Sequence, residues 1–251
     1  MARIDFKLKY ADSALGYLWS LLKPLAMFSV LYAVFGRFFK LNAGLLHYPV
    51  YLLIGVLLWS FFVDATTTTL PTIVYRGDLL RKLAFPRIVV PVSSTLTSGL
   101  TFAVNLVAIA AFVAGNRIVP SPRWLLLVPL IAELYLFTLG LALILATLFV
   151  SFRDIGQIWD LVAQLLFYAT PIFYPVSLLP HWMQSVVFLN PFVQVMQDVR
   201  SIVLSMDPVT TAPQVYGSWA GELLPLAIAA LVVAAGFGLF RRRSPWFAEK
   251  V

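Results

Sequence analysis

Cysteine is absent from the 251 residues, which excludes disulfides and thiolate metal sites. Charge is scarce. Only 12% of the chain is Asp, Glu, Lys or Arg, against the roughly 25% of an ordinary soluble domain. There is no glycine loop ending in Lys-Ser/Thr to cradle a phosphate, no His/Cys/carboxylate cluster at metal-ligand spacing and no nucleophile elbow. The two histidines, His47 and His181, stand far apart beside the ends of apolar runs and read as interfacial residues. No residue is a candidate catalyst, so the chain itself is not an enzyme and cannot hydrolyse ATP. Also missing are the roughly ten-residue stretches of alternating apolar and polar residues that mark β-barrel spans.

What remains is apolar. Hydrophobic residues make up 61% of the chain, gathered in charge-poor runs of the length that crosses ~30 Å of hydrocarbon as helix. The expected fold is an all-α integral membrane domain over residues 1–251. The net charge of +7 does not point to nucleic acid, because the cations sit at the ends of apolar runs and form no continuous face. The basic N-terminus lacks a short apolar core followed by small residues, so no removable signal peptide is expected.

The spacing predicts an amphipathic interface helix over 1–23, with its register broken at Pro24. Six spans follow at 24–42, 49–69, 91–114, 127–150, 156–174 and 222–240. From 161 to 197 there is no charged residue, a stretch too long for one span and too short for two with a loop. Pro171, Pro175, Pro180 and Pro191 divide it. The economical reading is the fifth span followed by re-entrant half-helices over 176–199, which membrane-embedded backbone permits only against protein or a wet cavity. With six spans both termini share a side, and thirteen of the 18 Lys and Arg residues then fall there. The positive-inside bias makes that side cytoplasmic.

Three groups of residues are candidates for function. The first is the polar stretch 75–87, with Arg76, Asp78, Arg81 and Lys82 interleaved with Leu80 and Phe85. An Asp78–Lys82 i,i+4 pair suits a short helix, and Phe85-Pro86 ends it. Composition alone fits an ordinary basic loop about as well; the interleaved apolar residues favour docking of a soluble partner. The second group is Arg153 and Asp154 between two spans, a cytoplasmic gate or simply a helix end and the next helix's cap. The third is aromatic: Trp59, Phe62, Phe152, Trp159, Phe167, Tyr168, Phe173 and Tyr174. Most aromatics near span ends form an interfacial belt. For those around Tyr168–Tyr174 the belt and a stacking surface for sugar rings stay equally open. Asp64, Glu133 and Glu222 are carboxylates within or beside spans, where an isolated charge is costly. Asp64 is the one a proton-coupled flippase would use.

Several local patterns then coincide in order. They are Lys9-Tyr10-Ala11-Asp12-Ser13 with Gly16 and Trp19, Gly55 with Trp59-Ser60-Phe61-Phe62, Leu80 to Pro91, Val150 to Asp154, Thr170-Pro171-Ile172-Phe173-Tyr174-Pro175, Asn190-Pro191 and Arg200. Together they resemble the permease subunits of ABC exporters of cell-surface polysaccharides, the O-antigen, teichoic-acid and capsule export class. The leader ahead of Lys9 is shorter than the family pattern, and Asp64 is an unexpected acid at its depth.

The resemblance implies a homodimer in the bacterial inner (plasma) membrane with a channel at or near the dimer interface. Two copies of a separate ATPase would bind ATP and Mg, so no cofactor is expected in this chain. They would dock on 75–87 and the interface helix. The substrate would be a lipid-linked glycan moving through the membrane from the cytoplasm, its anionic head group drawn to Lys9 and Lys23. The alternatives are an ABC exporter of drugs or small lipids, and the proton-coupled flippase using Asp64.

Overall fold

The computed structural model describes residues 18–41, 44–76 and 86–247, and the secondary structure among them is all helical. Helix α1 spans Leu18–Leu31 and continues as a wider π-helical stretch, Tyr32–Phe38. It runs straight through Pro24, where the sequence pattern placed a break between interface helix and first span. A proline inside a helix forfeits one backbone hydrogen bond, which membrane helices tolerate when neighbours take up the freed group; Pro24 is buried.

Helix α2, Tyr48–Thr69, is buried on nearly every side, as expected of a helix apolar all round. It packs against α1 and against α3 (Val89–Gly115), α4 (Leu127–Ser151), α5 (Ile155–Ala169) and, beyond the short α6 (His181–Val187), α7 (Pro191–Val203). A five-residue α8, Ala212–Tyr216, ends on Gly217 at φ 68°, a left-handed position that glycine takes without steric cost. The last long helix, α9, covers Leu223–Arg243 and is followed by a 3-10 turn, Ser244–Trp246.

Among the described residues five helical segments are long and apolar enough to cross a membrane: Leu18–Phe38, Tyr48–Thr69, Val89–Gly115, Pro122–Ser151 and Leu223–Trp246. Helix α5 is not one of them. Its 15 residues reach ~22 Å at 1.5 Å per residue, short of ~30 Å of hydrocarbon. The expected fifth span continued to 174. The helix instead stops at Ala169, because Thr170 precedes Pro171 and is forced into extended backbone (φ −86°, ψ 136°).

Apolar burial gives little drive between helices in lipid, so close backbone approach has to hold them. Helices α4 and α9 meet in this way. A Cβ on Gly140 would lie 2.7 Å from the Cα of Val233, and one on Gly236 would overlap the carbonyl of Gly140. Overpacking a tight contact costs about 1–3 kcal/mol. Gly140→Val and Gly236→Val are each expected to lower the thermal unfolding midpoint of the detergent-purified chain, whereas Gly238→Val, which meets nothing within 4 Å, leaves it unchanged.

Candidate functional site

Three places carry polar or aromatic chemistry. The first is a knot at the end of the bundle where α2 begins and α5 stops. Arg200 on α7 is fully buried. Its Nε donates to the carbonyl of Tyr51 (3.0 Å), one terminal nitrogen to the carbonyl of Pro171 (2.9 Å) and to Oε1 of Gln197 (3.3 Å), and the other to the carbonyl of Ile172 (2.7 Å). The guanidinium also lies 3.6 Å from the centre of the Tyr51 ring, a cation–π geometry. The carbonyls of Pro171 and Ile172 belong to the segment where α5 has ended, so no helix satisfies them. Tyr48 Oη donates to the next carbonyl, Phe173 (2.6 Å), and Tyr51 Oη to that of Tyr174 (3.4 Å).

Gly55 makes room for the guanidinium, since a Cβ there would overlap an Arg200 terminal nitrogen. Asn190 caps α7 by accepting from the Phe192 N–H (3.0 Å). The same end is tied by Asp207, which accepts from the N–H groups of Leu46 and His47 and pairs with His47 Nδ1 at 2.8 Å.

The second place is a cleft of about 800 Å³ among α1, α2, α3 and α5. Trp59, Phe167 and Tyr168 give it an aromatic wall, while Lys23, Asp64, Thr67, Asn105, Asp160 and Gln164 make it polar. Thr67 Oγ1 and Asn105 Oδ1 are buried in its wall without a hydrogen-bond partner, while Asp160 and Gln164 are exposed to it and can bond hydroxyl groups. The exposed Tyr168 ring beside them can stack on a sugar's apolar face.

The third place is the basic end of the bundle. Arg87, just before α3, donates to the carbonyl of Ser244 after α9. Ile73, Val150, Phe240 and Phe247 are buried together there.

The structure divides the aromatic candidates. Trp59, Phe62, Trp159, Phe167 and Phe173 are all buried and join one seam with Phe192. Its ring centroids lie 5.4 Å apart for Trp59–Phe62, 5.2 Å for Trp59–Phe192 and 5.9 Å for Trp59–Phe167 and for Phe167–Phe173. Trp159 Nε1 donates to Thr66 Oγ1 (3.1 Å). Tyr168 is 59% exposed and lines the cleft; Tyr174 is half-buried, its hydroxyl on the carbonyls of Tyr168 and Ala169. Phe152 lines a separate cleft at the basic end.

Arg153 and Asp154 are exposed. Arg153 lies 5.2 Å from the Phe149 ring, and Asp154 sits at the N-cap of α5 without a side-chain cap bond. Arg76 closes the single turn Thr72–Tyr75. Asp78, Leu80, Arg81, Lys82 and Phe85 lie outside the described residues, as does Lys9. Among the described residues no group of three or more His, Asp or Glu side chains could hold a metal.

Sequence reasoning counted Arg200 among the eighteen cations and in the family pattern without giving it a role, and it missed the His47–Asp207 pair. It treated Glu133 and Glu222 as scattered; both come within electrostatic range of Asp198, whose Oδ2 accepts from Gln194 Nε2 at 2.5 Å. One signal for Arg200 was available: it follows a long uncharged run and is flanked at helical spacing by Met196, Val199 and Val203.

A model of the ABC-2 type transporter family matches residues 1–204. The chain is 31% identical over 202 residues to the O-antigen export system permease protein RfbA of Klebsiella pneumoniae, covering 80% of this chain and 77% of that one. It is 30% identical over 258 aligned residues to the protein of the same name from Myxococcus xanthus, covering 98% and 92%. The polysialic acid transport protein KpsM of Escherichia coli is 22% identical over 206 residues, covering 80% and 78%.

Leaving three buried carbonyls without donors costs about 1–3 kcal/mol for each. Arg200→Gln, and Gly55→Ala by displacing the guanidinium, should both lower the unfolding midpoint and speed backbone hydrogen–deuterium exchange over Ile172–Tyr174. A midpoint unmoved in both variants would show that the knot does not hold this end together.

Proposed function

The chain belongs to the ABC-2 type transporter family, and on that footing we propose that it is the transmembrane subunit of an ABC exporter carrying a lipid-linked cell-surface polysaccharide outward across the inner membrane. The observation that carries this reading is the 30% identity over 98% of the chain to a permease named for O-antigen export. The cleft supports it: the exposed Tyr168 ring beside Asp160 and Gln164 suits a polyhydroxylated ligand better than an apolar drug or a plain lipid.

In finer detail, six crossings are made by the five long helices and α5, whose short reach is completed by the non-helical segment after Thr170. Both termini face the cytoplasm, and α6 and α7 are re-entrant elements from the opposite side. Two copies assemble around the path. Helix α5 exposes Ile158, Leu161 and Leu165 and turns Asp160, Gln164 and Tyr168 to the cleft, so its polar side is covered by the second copy and by water rather than by lipid.

Two soluble ATPase subunits dock on the coupling region 75–87 and the N-terminal segment. Their nucleotide-driven closure biases two arrangements of the bundle differently, which is what any ligand-driven change needs. Arg87 passes that motion to the end of α9 through the Ser244 carbonyl. Lys23 at the cleft, with Lys9, attracts the anionic head group of the carrier lipid.

The tagged chain purified from its native membrane in mild detergent is expected to bring down a soluble ATPase whose turnover depends on it. Arg81→Glu with Lys82→Glu should remove that ATPase and leave insertion intact. A chain that purifies alone, with transport lost in Asp64→Asn, would replace this reading with a proton-coupled one. Within the cleft, Tyr168→Ala and Gln164→Ala should slow glycan export several-fold while the amount of assembled complex stays the same; unaltered export in both would remove the cleft from the path.

A further inference from the structure

At the basic end a second cleft, of about 390 Å³, opens between the last turns of α4 and α9 and the turn after α9. Leu148, Val150 and Leu239 give it an apolar floor, and Arg243, Trp246 and Phe152 stand around it. Trp246 is 59% exposed and Phe152 65%, so neither ring is explained by packing within the chain. The rim is rigid. Phe247 is buried with its ring edge-on to Phe240 at 5.4 Å, and the Ser244 carbonyl is held by Arg87. Arg243 is exposed and forms no ion pair among the described residues.

A cation, an amphipathic indole and a narrow apolar floor at the end of two membrane helices match the three parts of a phospholipid: phosphate, glycerol and acyl chain. Trp favours the glycerol level of the interface, and basic pockets between membrane helices take anionic head groups. The sign of the head group follows from the neighbours. Arg241, Arg242 and Arg243 are consecutive on the last turn, outweigh the negative carboxyl end of α9 and repel the ammonium of a zwitterionic lipid.

We propose that this cleft binds one anionic membrane phospholipid, its phosphate on Arg243, its glycerol against Trp246 and the start of one acyl chain along Leu148, Val150 and Leu239. The site stands apart from the substrate cleft and does not depend on what the chain exports.

Arg241 and Arg242 do not line the cleft, so they serve as controls of equal charge. The chain, purified in detergent, is offered phosphatidylglycerol or phosphatidylcholine and the retained lipid is read by native mass spectrometry. One phosphatidylglycerol per chain is expected to stay bound, and Arg243→Gln should weaken it about fivefold, the ~1 kcal/mol one Arg contributes near an anionic surface. Arg241→Gln and Arg242→Gln should change it less than twofold. Equal losses in all three variants would mean a diffuse basic surface and overturn the site. Equal retention of phosphatidylcholine by the unmodified chain would overturn it without any variant. Displacement of the lipid by inorganic phosphate alone would show that the apolar floor holds no acyl chain, which is equally fatal.

Discussion

A guanidinium can be taken out of water only if its N–H groups find acceptors, since the cost of an unsatisfied buried ion is several kcal/mol. Arg200 meets that condition mainly with backbone carbonyls and without a carboxylate: Tyr51 from α2, Pro171 and Ile172 from the chain leaving α5, and the Gln197 side chain on its own helix. The carbonyls of Pro171 and Ile172 are left open by the prolines at 171 and 175, which do not continue the helix. The prolines thus create the acceptors and Arg200 supplies the donors. Neither half is stable in hydrocarbon alone, and their pairing fixes where α5 ends, how α7 lies against α2, and why position 55 has no side chain.

The cleft among α1, α2, α3 and α5 inherits its shape from this arrangement. Tyr168 is two residues before Thr170, so the point at which α5 stops determines where its ring stands. The buried seam from Phe62 through Trp59 to Phe167 and Phe173 backs that wall and keeps α5 on α2. Most of the aromatics are therefore scaffold, and Tyr168 is the one that presents its ring to the cleft. The polar residues of the cleft come from four helices, α1, α2, α3 and α5, and the closely packed α4 and α9 pair stands apart from it.

The basic end is built differently. There one side-chain donor, Arg87, reaches the carbonyl after α9, and Phe247 folds back onto Phe240. The arginine–carbonyl contact next to a buried aromatic pair ties the start of α3 to the end of α9. The run Arg241–Arg243 lies beside that connection, which makes the state of the surrounding lipid relevant to it.

Much was legible in the chain. Helices of this length and charge-poor runs can satisfy their own backbone in a membrane, so Tyr48–Thr69, Val89–Gly115 and Leu127–Ser151 could be seen from composition and the flanking polar residues, and the order of Gly55, Thr170–Pro175, Asn190-Pro191 and Arg200 marked the family. The limits of α1 and α5 were less clear. Pro24 is tolerated within a helix when the local surroundings allow it, whereas Pro171 ends one, and the residue type alone does not distinguish the two cases. What only the tertiary structure decided is which residues meet. Arg200 lies 149 positions from Tyr51, Asp207 lies 160 from His47, and Gly140 opposes Gly236. Hydropathy reports how each residue partitions and says nothing about its partner. A buried cation satisfied by carbonyls therefore looks in sequence like any other interfacial arginine, and an aromatic in the core looks like one in the belt.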